Sequence, residues 1–444
     1  MESLEFTVNT DQLSYDVIIV GGRPAGSTLA VRLGRAGLRV LLLERATLPS
    51  LPAVSSPIIY ASSMKLLDEI GADERLYAHN TPRIQTVSAH GHAFEVDFPL
   101  PDSDGRDYAY AVDRARFDAT LWDLAASLPQ VTAYQTFNVT DLLWDGDRVC
   151  GVTGIDADRQ QRAFRARLII GADGRYSLVA RKVKAVVVDE HDAFPTSLLY
   201  AYWRDVRPYK PDGCAVSVAY EGAPGLGYLL MDSADGTTAV VIEGRSDQLE
   251  AGPGQAEAFY MATLRENSAV WDRVKSAEMV TDVRGIRRVG NFYRQAGGPG
   301  WALVGDAYHQ KDPLDGQGIY NALFTAKALA WAIRYWQQGE MDWDQAIEWY
   351  DETARIKTYA MYRSLLGRVQ MSFYPRVTPP EWVQNTLGRW LMEDPAMHQL
   401  LGRFITRQIP PEMMTLMTGP VMARAIMRGS LRDLRQRVRA ALPF

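Results

Sequence analysis

A glycine turn near the start of the chain, Gly21-Gly-Arg-Pro-Ala-Gly26, has the residue types that bind a phosphate group. It follows Tyr15 to Val20, a short apolar run typical of a buried parallel strand. A helical pattern follows over Ser27 to Ala36, and a second buried strand is predicted over Leu38 to Leu43. Glu44 ends that strand, 23 residues after the first glycine of the turn. This order predicts a dinucleotide site, with the pyrophosphate at the helix N-terminus and ribose hydroxyls on Glu44. The motif alone does not distinguish FAD from NAD.

Arg23 stands where the usual form of this motif has its middle glycine. Only the backbone has to approach the phosphates there, and Pro24 and Ala25 fill the two positions before Gly26. We expect the Arg23 side chain either to add positive charge beside the pyrophosphate or to face the active site.

Two further motifs lie far down the chain, and each is a buried strand that runs into a turn. The first is Leu168 to Arg181, in which an Asp173-Gly174 pair follows the strand. The second is Trp301 to Gly318, in which Gly305-Asp306 ends the strand and a Pro/Gly-rich loop opens a long helix.

With these three motifs in this order, the sequence closely resembles the class A flavoprotein monooxygenase superfamily, the p-hydroxybenzoate hydroxylase-like enzymes. Geranylgeranyl reductases and flavin-dependent halogenases share the fold of that superfamily. The resemblance covers about Tyr15 to Gln338 and implies that the dinucleotide is FAD.

The resemblance also implies a place on FAD for each motif. Glu44 corresponds to the ribose partner, Val139 to the residue whose backbone meets the adenine, and Asp306 to the carboxylate on the ribityl chain. The Asp173 turn corresponds to a structural bridge close to the cofactor. The complete set of implied FAD-binding residues is Gly21, Arg23, Pro24, Ala25, Gly26, Glu44, Arg45, Arg114, Val139, Asp173, Gly305, Asp306, Pro313, Gly316, Gln317, Gly318 and Ile319.

The helix that begins near Gly318 would aim its N-terminus at the N1–C2=O edge of the flavin ring. The partial positive charge of a helix N-terminus would stabilise an anionic reduced flavin there. Tyr320 and Asp315 depart from the family pattern, which usually has Asn and Gly at these positions. The Lys311-Asp312-Pro313 tripeptide and Arg23 resemble a separate bacterial branch of the superfamily.

The residues that could carry the reaction itself are fewer. His309 could serve as an acid or base, or could pin the loop to its neighbours. Lys311 and Asp312 could pair with each other or face the substrate. Aromatic residues in the predicted sheet domain, earlier in the chain, could line a pocket or form ordinary core. They are Tyr200, Tyr202, Trp203, Tyr220 and Tyr228.

The predicted fold class is α/β with mixed elements. A Rossmann-type FAD-binding domain is interleaved with a mostly antiparallel sheet domain, and helices follow toward the C-terminus. The FAD-binding domain is predicted over residues 14–82, 113–184 and 286–340, the sheet domain over 83–112 and 185–285, and the helical region over 341–444.

Composition excludes several other classes of protein. The net charge is −5 with both signs mixed along the chain, unlike the basic surface of a nucleic-acid binder. Cys150 and Cys214 are the only cysteines, so neither a disulfide framework nor a metal site is expected. No apolar run reaches the roughly 18 residues of a spanning helix, and residues 1–14 lack the layout of a signal peptide. These features predict a cytoplasmic protein without a membrane partner. The Met-rich stretch from Met413 to Met427 is expected to be a core-facing amphipathic helix, with a lid or a helix on a membrane surface as alternatives.

The resemblance implies a monooxygenase that uses FAD and O2 to oxidise a small aromatic or polyketide-like molecule, through a flavin C4a-hydroperoxide. NAD(P)H would bind transiently or act through a separate flavin reductase, since no second dinucleotide turn occurs in register with a helix and an acid. The alternatives are an isoprenoid reductase and a halogenase. The Tyr-x-Trp-x-Phe-Pro and Trp-x-Trp-x-Ile-Pro motifs of those two groups are absent from the sequence, and no lysine stands where a halogenase has one.

Overall fold

The computed structural model describes residues 15–51, 56–91, 94–375 and 380–441. In chain order, its strands are β1 (Tyr15–Val20), β2 (Val40–Leu43), β3 (Ile58–Ile59), β4 (Thr86–His90), β5 (Glu95–Pro99), β6 (Tyr110–Ala111), β7 (Val131–Tyr134), β8 (Asn138–Asp145), β9 (Arg148–Ile155), β10 (Gln161–Gly171), β11 (Val187–Val188), β12 (Thr196–Arg204), β13 (Val216–Glu221), β14 (Leu226–Asp232), β15 (Thr237–Arg245), β16 (Glu278–Met279), β17 (Arg284–Ile286), β18 (Phe292–Arg294), β19 (Gly297–Gly298), β20 (Trp301–Leu303) and β21 (His309–Gln310).

The helices are α1 (Pro24–Arg35), α2 (Ala61–Asp68), α3 (Glu74–Tyr77), α4 (Arg114–Ala126), α5 (Leu178–Lys182), α6 (Ala256–Glu266), α7 (Ser268–Val274), α8 (Gly318–Gln337), α9 (Trp343–Phe373), α10 (Glu381–Met392), α11 (Pro395–Ile405) and α12 (Pro411–Ala441). Helix α6 is followed directly by α7. Asn267 ends α6 with extended backbone angles, and its side chain accepts from the backbone N–H of Val270 to start α7.

The first sheet contains a parallel core in the order β20-β10-β1-β2-β7. Its strands β1 and β2 are continuous apolar runs, because a parallel sheet is covered on both faces. The helices α1, α4, α8 and α9 contribute buried side chains to the same core, among them Leu29, Leu121, Leu329 and Tyr350. The strands come from three separate stretches of the chain, which confirms the interleaved α/β fold class.

The second sheet has the order β16-β12-β15-β14-β13-β4-β5, and all of these neighbours are antiparallel except β13 and β4. Side chains alternate between its two faces along each strand. On β12, Tyr200 and Tyr202 lie on one face and Trp203 lies on the other. The face with the two tyrosines, together with residues that pack on it, forms an apolar cluster that we call the inner-face cluster; its members include Ile58, Tyr60, Leu198, Tyr200, Tyr202, Met231 and Ile286.

The aromatic residues predicted as one possible pocket lining therefore divide between two places. Trp203, Tyr220 and Tyr228 belong to the opposite face, which packs against α6 and α7. The Trp203 indole N–H donates to the Tyr260 hydroxyl over 3.2 Å, and the Tyr228 hydroxyl donates to a backbone carbonyl of α6. These three residues are ordinary core, and only Tyr200 and Tyr202 face the remaining part of the molecule.

After α9, the helices α10, α11 and α12 pack against one another. Asp342 and Gln345 cap α9 reciprocally, each side chain bonded to the other residue's backbone N–H. The prolines between Tyr374 and Pro380 predict a break between helices. Residues 376–379 of this stretch lie outside the described residues, and α10 begins at Glu381. In the described ranges no helix is both long and apolar enough to cross a membrane.

Candidate active site

Four predicted site residues lie directly beyond the carboxyl ends of parallel strands. Gly21 follows β1 and Glu44 follows β2, while Asp173 and Asp306 lie two and three residues beyond β10 and β20. These strands are neighbours in one sheet, so the sheet edge brings together residues that are far apart in sequence. The crevice beyond this edge is where open α/β sheets bind ligands.

The turn after β1 requires glycine at more than one position. Gly21 has φ +104°, which L side chains rarely adopt, and a Cβ there would lie 2.4 Å from the Ala172 carbonyl oxygen. A Cβ on Gly26 would lie 1.8 Å from the Gly21 carbonyl oxygen. The turn is therefore closed tightly against the helix that follows. Within the described chain, no side chain caps the N-terminus of α1, which leaves its first N–H groups available to an anion.

Glu44 is buried at the end of β2 and is held by two backbone amides. The Gly22 N–H donates to Glu44 Oε2 over 2.8 Å, and the Ala46 N–H donates to Glu44 Oε1 over 2.9 Å. Each carboxylate oxygen retains a lone pair that can accept from a ribose hydroxyl. Arg45 is exposed beside it, and Val139 is buried in β8.

Arg23 points into the protein. Its Nη1 donates to Asp118 Oδ2 over 2.6 Å and to the Ser50 carbonyl over 3.0 Å, and its Nη2 donates to the Ser50 hydroxyl over 3.1 Å. Asp118 also pairs with Arg114, which donates to both carboxylate oxygens. Both arginines are thus bound to one buried carboxylate. The charge of Arg23 also acts on Tyr200 of the inner-face cluster, so the side chain lies near that cluster, and its expected role at the pyrophosphate or in the active site stays a prediction.

Asp173 and Asp306 have different surroundings. Asp173 caps α5, since it accepts from the Ser177 hydroxyl over 2.5 Å and from the Leu178 N–H over 2.6 Å. Burial raises the pKa of Asp173, although these hydrogen bonds oppose the increase. Asp306 is partly exposed and pairs with Arg175 Nε over 3.1 Å. Asp306 is therefore the one of the two whose carboxylate can reach a ligand in the crevice.

The loop from Lys311 to Gly318, which we call the 311–318 loop, is held by buried charges. Lys311 forms an ion pair with Asp315, so the predicted pairing of Lys311 with Asp312 is wrong. Burial raises the pKa of Asp315, but the charges of Lys311 and Arg368 outweigh burial and the pKa lies below its ordinary value. The short helical turn at residues 313–315 brings the side chains of Lys311 and Asp315 together, although they are four residues apart in sequence.

Asp312 points toward the second sheet. Its side chain accepts from the Thr196 hydroxyl of β12 and, over 2.9 Å, from the Leu314 N–H. The Asp312 N–H donates to Asn291 Oδ1 over 2.8 Å. Asp312 therefore ties the 311–318 loop to the sheet that carries the inner-face cluster.

The end of the 311–318 loop leaves space for a flat ring. Gly316 has φ +63°, and a Cβ there would lie 2.6 Å from the Ile58 side chain. At Gly318, by contrast, no described atom lies within 4 Å of where a Cβ would be. Among the described residues, no side chain caps α8 at this point. An uncapped helix N-terminus beside open space fits the carbonyl edge of an isoalloxazine ring.

Glu243, which the sequence analysis missed, is buried against the same loop. It lies on β15 on the face of Ala239 and Val241, which belongs to the inner-face cluster. Burial raises the pKa of Glu243 well above its ordinary value, and the adjacent Asp312 carboxylate raises it further through its charge and a hydrogen bond. Glu243 Oε1 has no hydrogen-bond partner among the described residues. The sequence does contain a pattern that could have identified Glu243, because this glutamate occupies an inward-facing position of an otherwise apolar strand.

His309 is a buried part of the loop's support. Its ring stacks on Tyr293 with 3.7 Å between ring centroids, and Nδ1 lies 3.2 Å from the Phe292 carbonyl oxygen. Burial lowers the pKa of His309 to about 3, so the ring is neutral near pH 7. The geometry matches the loop-pinning alternative, and among the described residues no carboxylate is hydrogen-bonded to His309 to make it a base.

Arg407, between α11 and α12, is a second residue that the sequence analysis missed. Its Nε donates to Gln317 Oε1 over 2.9 Å, and its guanidinium lies 3.8 Å from the centroid of the Tyr320 ring. Nη2 reaches Asn321 Oδ1 at 3.3 Å. The C-terminal helices thereby hold the N-terminus of α8, which residue patterns in either segment do not reveal.

The fold and the site together define a flavoprotein oxidoreductase. The glycine turn, the Glu44 carboxylate, the uncapped N-terminus of α8 and the open space at Gly318 fit the parts of FAD in the order in which FAD would lie along the crevice. Residues 14–363 match the model of the FAD binding domain family, and the chain belongs to this family. The protein is an FAD-dependent oxidoreductase, and its resemblance to the class A flavoprotein superfamily is confirmed.

The curated relatives carry three kinds of activity in their names. A tryptophan 2-halogenase from Chondromyces crocatus is 26% identical over 76% of this chain and 64% of its own length. A digeranylgeranylglycerophospholipid reductase from Methanocella arvoryzae is 27% identical over 70% of this chain and 76% of its own. A probable NADH-specific resorcinol 4-hydroxylase from Rhodococcus jostii is 26% identical over 72% of this chain and 59% of its own. The chain thus spans less than two thirds of the halogenase and of the hydroxylase.

Solved structures agree on the fold. The myxobacterial chondrochloren halogenase has a TM-score of 0.74 at 22% identity, over 88% of this chain and 96% of that one. A probable FAD-dependent monooxygenase from Pseudomonas aeruginosa has a TM-score of 0.63 at 18% identity, over 82% and 97%. At these identities the likeness establishes the shared fold, and the reaction has to be argued from the site.

Proposed function

We propose that this flavoprotein is a monooxygenase that inserts one atom of O2 into an aromatic or polyketide-like small molecule. FAD, when bound, supplies the redox chemistry, while the protein binds, orients and shields the substrate. The second oxygen atom leaves as water, with two electrons from NAD(P)H and one proton completing the balance. The observation that carries the proposal is the contact between the inner-face cluster and the 311–318 loop.

That contact supports a dry, aromatic substrate side. Ile58 and Tyr60 belong to the inner-face cluster and also lie against Gly316. Tyr200 and Tyr202 continue the cluster on β12, with 6.2 Å between their ring centroids. Aromatic side chains of this kind suit an aromatic ligand through edge and stacking contacts. Buried apolar walls also keep water from the flavin edge.

Glu243 and Asp312 form a carboxyl pair that can donate a proton on the side of the inner-face cluster. Two carboxyl groups that share a buried site cannot both ionise readily, so one keeps its proton to a higher pH than an exposed carboxyl group does. Glu243 is the protonated member, because burial and the Asp312 charge both raise its pKa. The proton that it keeps is hydrogen-bonded to Asp312, and the unpartnered Oε1 can accept a further hydrogen bond. In this proposal Glu243 provides the proton that oxygen insertion consumes.

The lysines support a monooxygenase over a halogenase. Of the eight lysines, all inside the described ranges, only Lys311 is buried. Its ammonium group is bound to the Asp315 carboxylate. A lysine neutralised in this way is a poor candidate for the free lysine that the resemblance implies for a halogenase.

The second candidate is a reductase of an isoprenoid chain, and the relatives favour it. Digeranylgeranylglycerophospholipid reductases from Methanocella arvoryzae and Methanococcoides burtonii are 27% and 28% identical to this chain. As electron source, NADH is named for the Rhodococcus jostii hydroxylase, which supports NAD(P)H here, bound directly or used through a separate flavin reductase.

Turnover under labelled oxygen separates these functions. Purified yellow protein is incubated with NADPH and 18O2 on panels of phenols and aromatic polyketides, and products are analysed by mass spectrometry. A product heavier by one labelled oxygen supports the proposal. A gain of two hydrogens without label assigns the reductase, and a halogenated product in added bromide assigns the halogenase. A colourless protein that FAD does not reconstitute would contradict flavin chemistry altogether.

A further inference from the structure

Helix α12 has two apolar faces, and only one of them is covered. On the inner face, Met414, Met417 and Val421 pack on a cluster that includes Leu400 and Phe404 of α11. Ion pairs continue this attachment along the helix, since Asp433 accepts from Arg389 of α10 over 2.5 Å. The expectation of a core-facing amphipathic helix is therefore met by this face alone.

The other face presents a stripe of large apolar side chains to solvent. These side chains are between 47% and 76% exposed, and they are Met413, Leu416, Met427, Leu431, Leu434 and Val438. A helix turns by about 100° per residue, so the four residues that follow Pro420 fall within a sector of about 60° on one side of α12; they are Met427, Leu431, Leu434 and Val438. From Met413 to Val438 the stripe extends roughly 38 Å at 1.5 Å per residue. Patches of this kind on a soluble surface mark interaction sites.

Arginines flank the stripe. The helix contains six arginines and two acidic residues, although the whole chain has a net charge of −5. Arg424 and Arg435 border one side of the stripe and Arg437 the other, and all three are exposed. Asp433 lies on the inner face, where Arg389 and Trp390 bind it. The outer face thus combines apolar side chains with positive charge and has no acidic residue after Glu412.

We propose that the outer face of α12 binds flat on an anionic membrane surface. Apolar side chains would enter the boundary between headgroups and acyl chains, and the flanking arginines would contact lipid phosphates and acidic headgroups. No described helix can span a bilayer, so this is attachment in the plane of the interface. The inference stands independently of the reaction proposed above.

Charge decides between the possible occupants. A second copy of α12 on the stripe would bring arginines against arginines, because each copy lacks acidic residues on this face. An acidic protein partner would need a matching apolar ridge about as long as the stripe. A membrane surface offers both the length and the negative charge.

Vesicle binding by the full-length chain tests the proposal. Protein is mixed with vesicles of phosphatidylcholine alone or with 30% phosphatidylglycerol, and the bound fraction is measured by flotation. We expect binding to the anionic vesicles and at least tenfold weaker binding to the neutral ones. Leu434→Glu should weaken anionic binding at least tenfold, while flavin content and circular dichroism stay unchanged.

A matched control is available elsewhere on the surface. Leu76 of α3 is 59% exposed, comparable to Leu434 at 57%, so Leu76→Glu introduces the same charge outside the stripe. Leu76→Glu should leave vesicle binding unchanged. Arg435→Glu should weaken binding most at low salt, since exposed charges are screened as salt rises.

Several results would overturn the proposal. The proposal is wrong if the wild-type protein does not bind anionic vesicles. It is also wrong if Leu76→Glu and Leu434→Glu lose vesicle binding to the same extent. A dimer in sedimentation that Leu434→Glu converts to monomer, with no vesicle binding, would assign the face to a second copy. Binding to an acidic polypeptide such as polyglutamate, without vesicle binding, would assign it to a protein partner.

Discussion

Arg23 Nη1 lies 2.6 Å from Asp118 Oδ2, and the Asp118 side chain is fully buried. The residue that breaks the glycine pattern of the phosphate turn is thus part of an internal charge cluster with Arg114. Its backbone still forms the turn, because Arg23 has ordinary extended angles with φ −86°. The side chain and the backbone of Arg23 therefore serve separate purposes.

We predict that Arg23→Gly retains FAD. Its removal leaves Asp118 paired with Arg114, and Arg23 is 24% exposed, so the loss of stability should be on the order of 1 to 3 kcal/mol. Flavin absorbance per protein and urea unfolding measure the two effects. Asp118→Asn is the companion variant and should cost more, about 3 to 5 kcal/mol, because two arginines lose their anion. Complete loss of flavin from Arg23→Gly alone would mean that the side chain itself holds the cofactor.

Gly26→Ala should abolish flavin binding. The added Cβ would lie 1.8 Å from the Gly21 carbonyl oxygen, so the turn and α1 must separate. The matched control is Gly367→Ala in the middle of α9, where no described atom lies within 4 Å of the new Cβ. This control should be neutral or stabilising by about 0.5 to 1 kcal/mol. Equal flavin content in both variants would refute the steric argument.

Glu243→Gln should change how stability depends on pH. The pKa of Glu243 is raised in the folded protein, so the unfolded chain loses this proton first as pH rises. The contribution of Glu243 to the free energy of unfolding is therefore fully present below about pH 4 to 5. As pH rises, it decreases by up to about 1.4 kcal/mol per pH unit until Glu243 ionises in the folded protein. Glutamine does not titrate, so the variant lacks this part of the dependence of the unfolding free energy on pH.

The comparison is made by urea unfolding from pH 4 upward to pH 9, and His309 is present in both proteins, so its contribution cancels when their slopes are compared. Glu257→Gln, on the exposed side of α6, serves as control and should keep the wild-type slope. Identical slopes for the wild type and Glu243→Gln would contradict a buried neutral carboxyl group.

His309→Phe should keep both the flavin and the pH profile of activity between pH 5 and 8. Phenylalanine preserves the stack on Tyr293, and a histidine with a pKa of about 3 does not titrate in that range. The readout is kcat/KM across pH, measured on any substrate that the oxygen-labelling experiment identifies. Disappearance of a limb with an apparent pKa near 6 would restore His309 as an acid or base.

The cofactor half of the site was largely predictable from sequence, because it depends on local features. Gly21, Glu44 and Asp306 follow strands, and parallel strands bring their carboxyl ends to one edge. The pairing of Lys311 with Asp315 was missed because it depends on a short helical turn in an irregular loop. Arg407 was missed for a different reason, since its contact with Gln317 joins segments 90 residues apart.

The second face of α12 shows another limit of sequence patterns. Helical periodicity reports that apolar residues share a face, but not whether anything covers that face. Met414 and Met417 point inward while Met413 points outward, although all three lie in the same Met-rich stretch. Only the packing of α11 against α12 distinguishes them.

The assembly of the first sheet has a consequence for the protein's synthesis. Val17 of β1 pairs with Leu168 of β10, and Ile169 of β10 pairs with Trp301 of β20. At ribosomal speeds of 5 to 20 residues per second, the glycine turn waits roughly 15 to 60 s for the last of these strands to be made. Until then the edge of β10 that faces β20 has no neighbour, and the nascent chain has no complete crevice. FAD therefore meets a complete crevice only after most of the chain has been made.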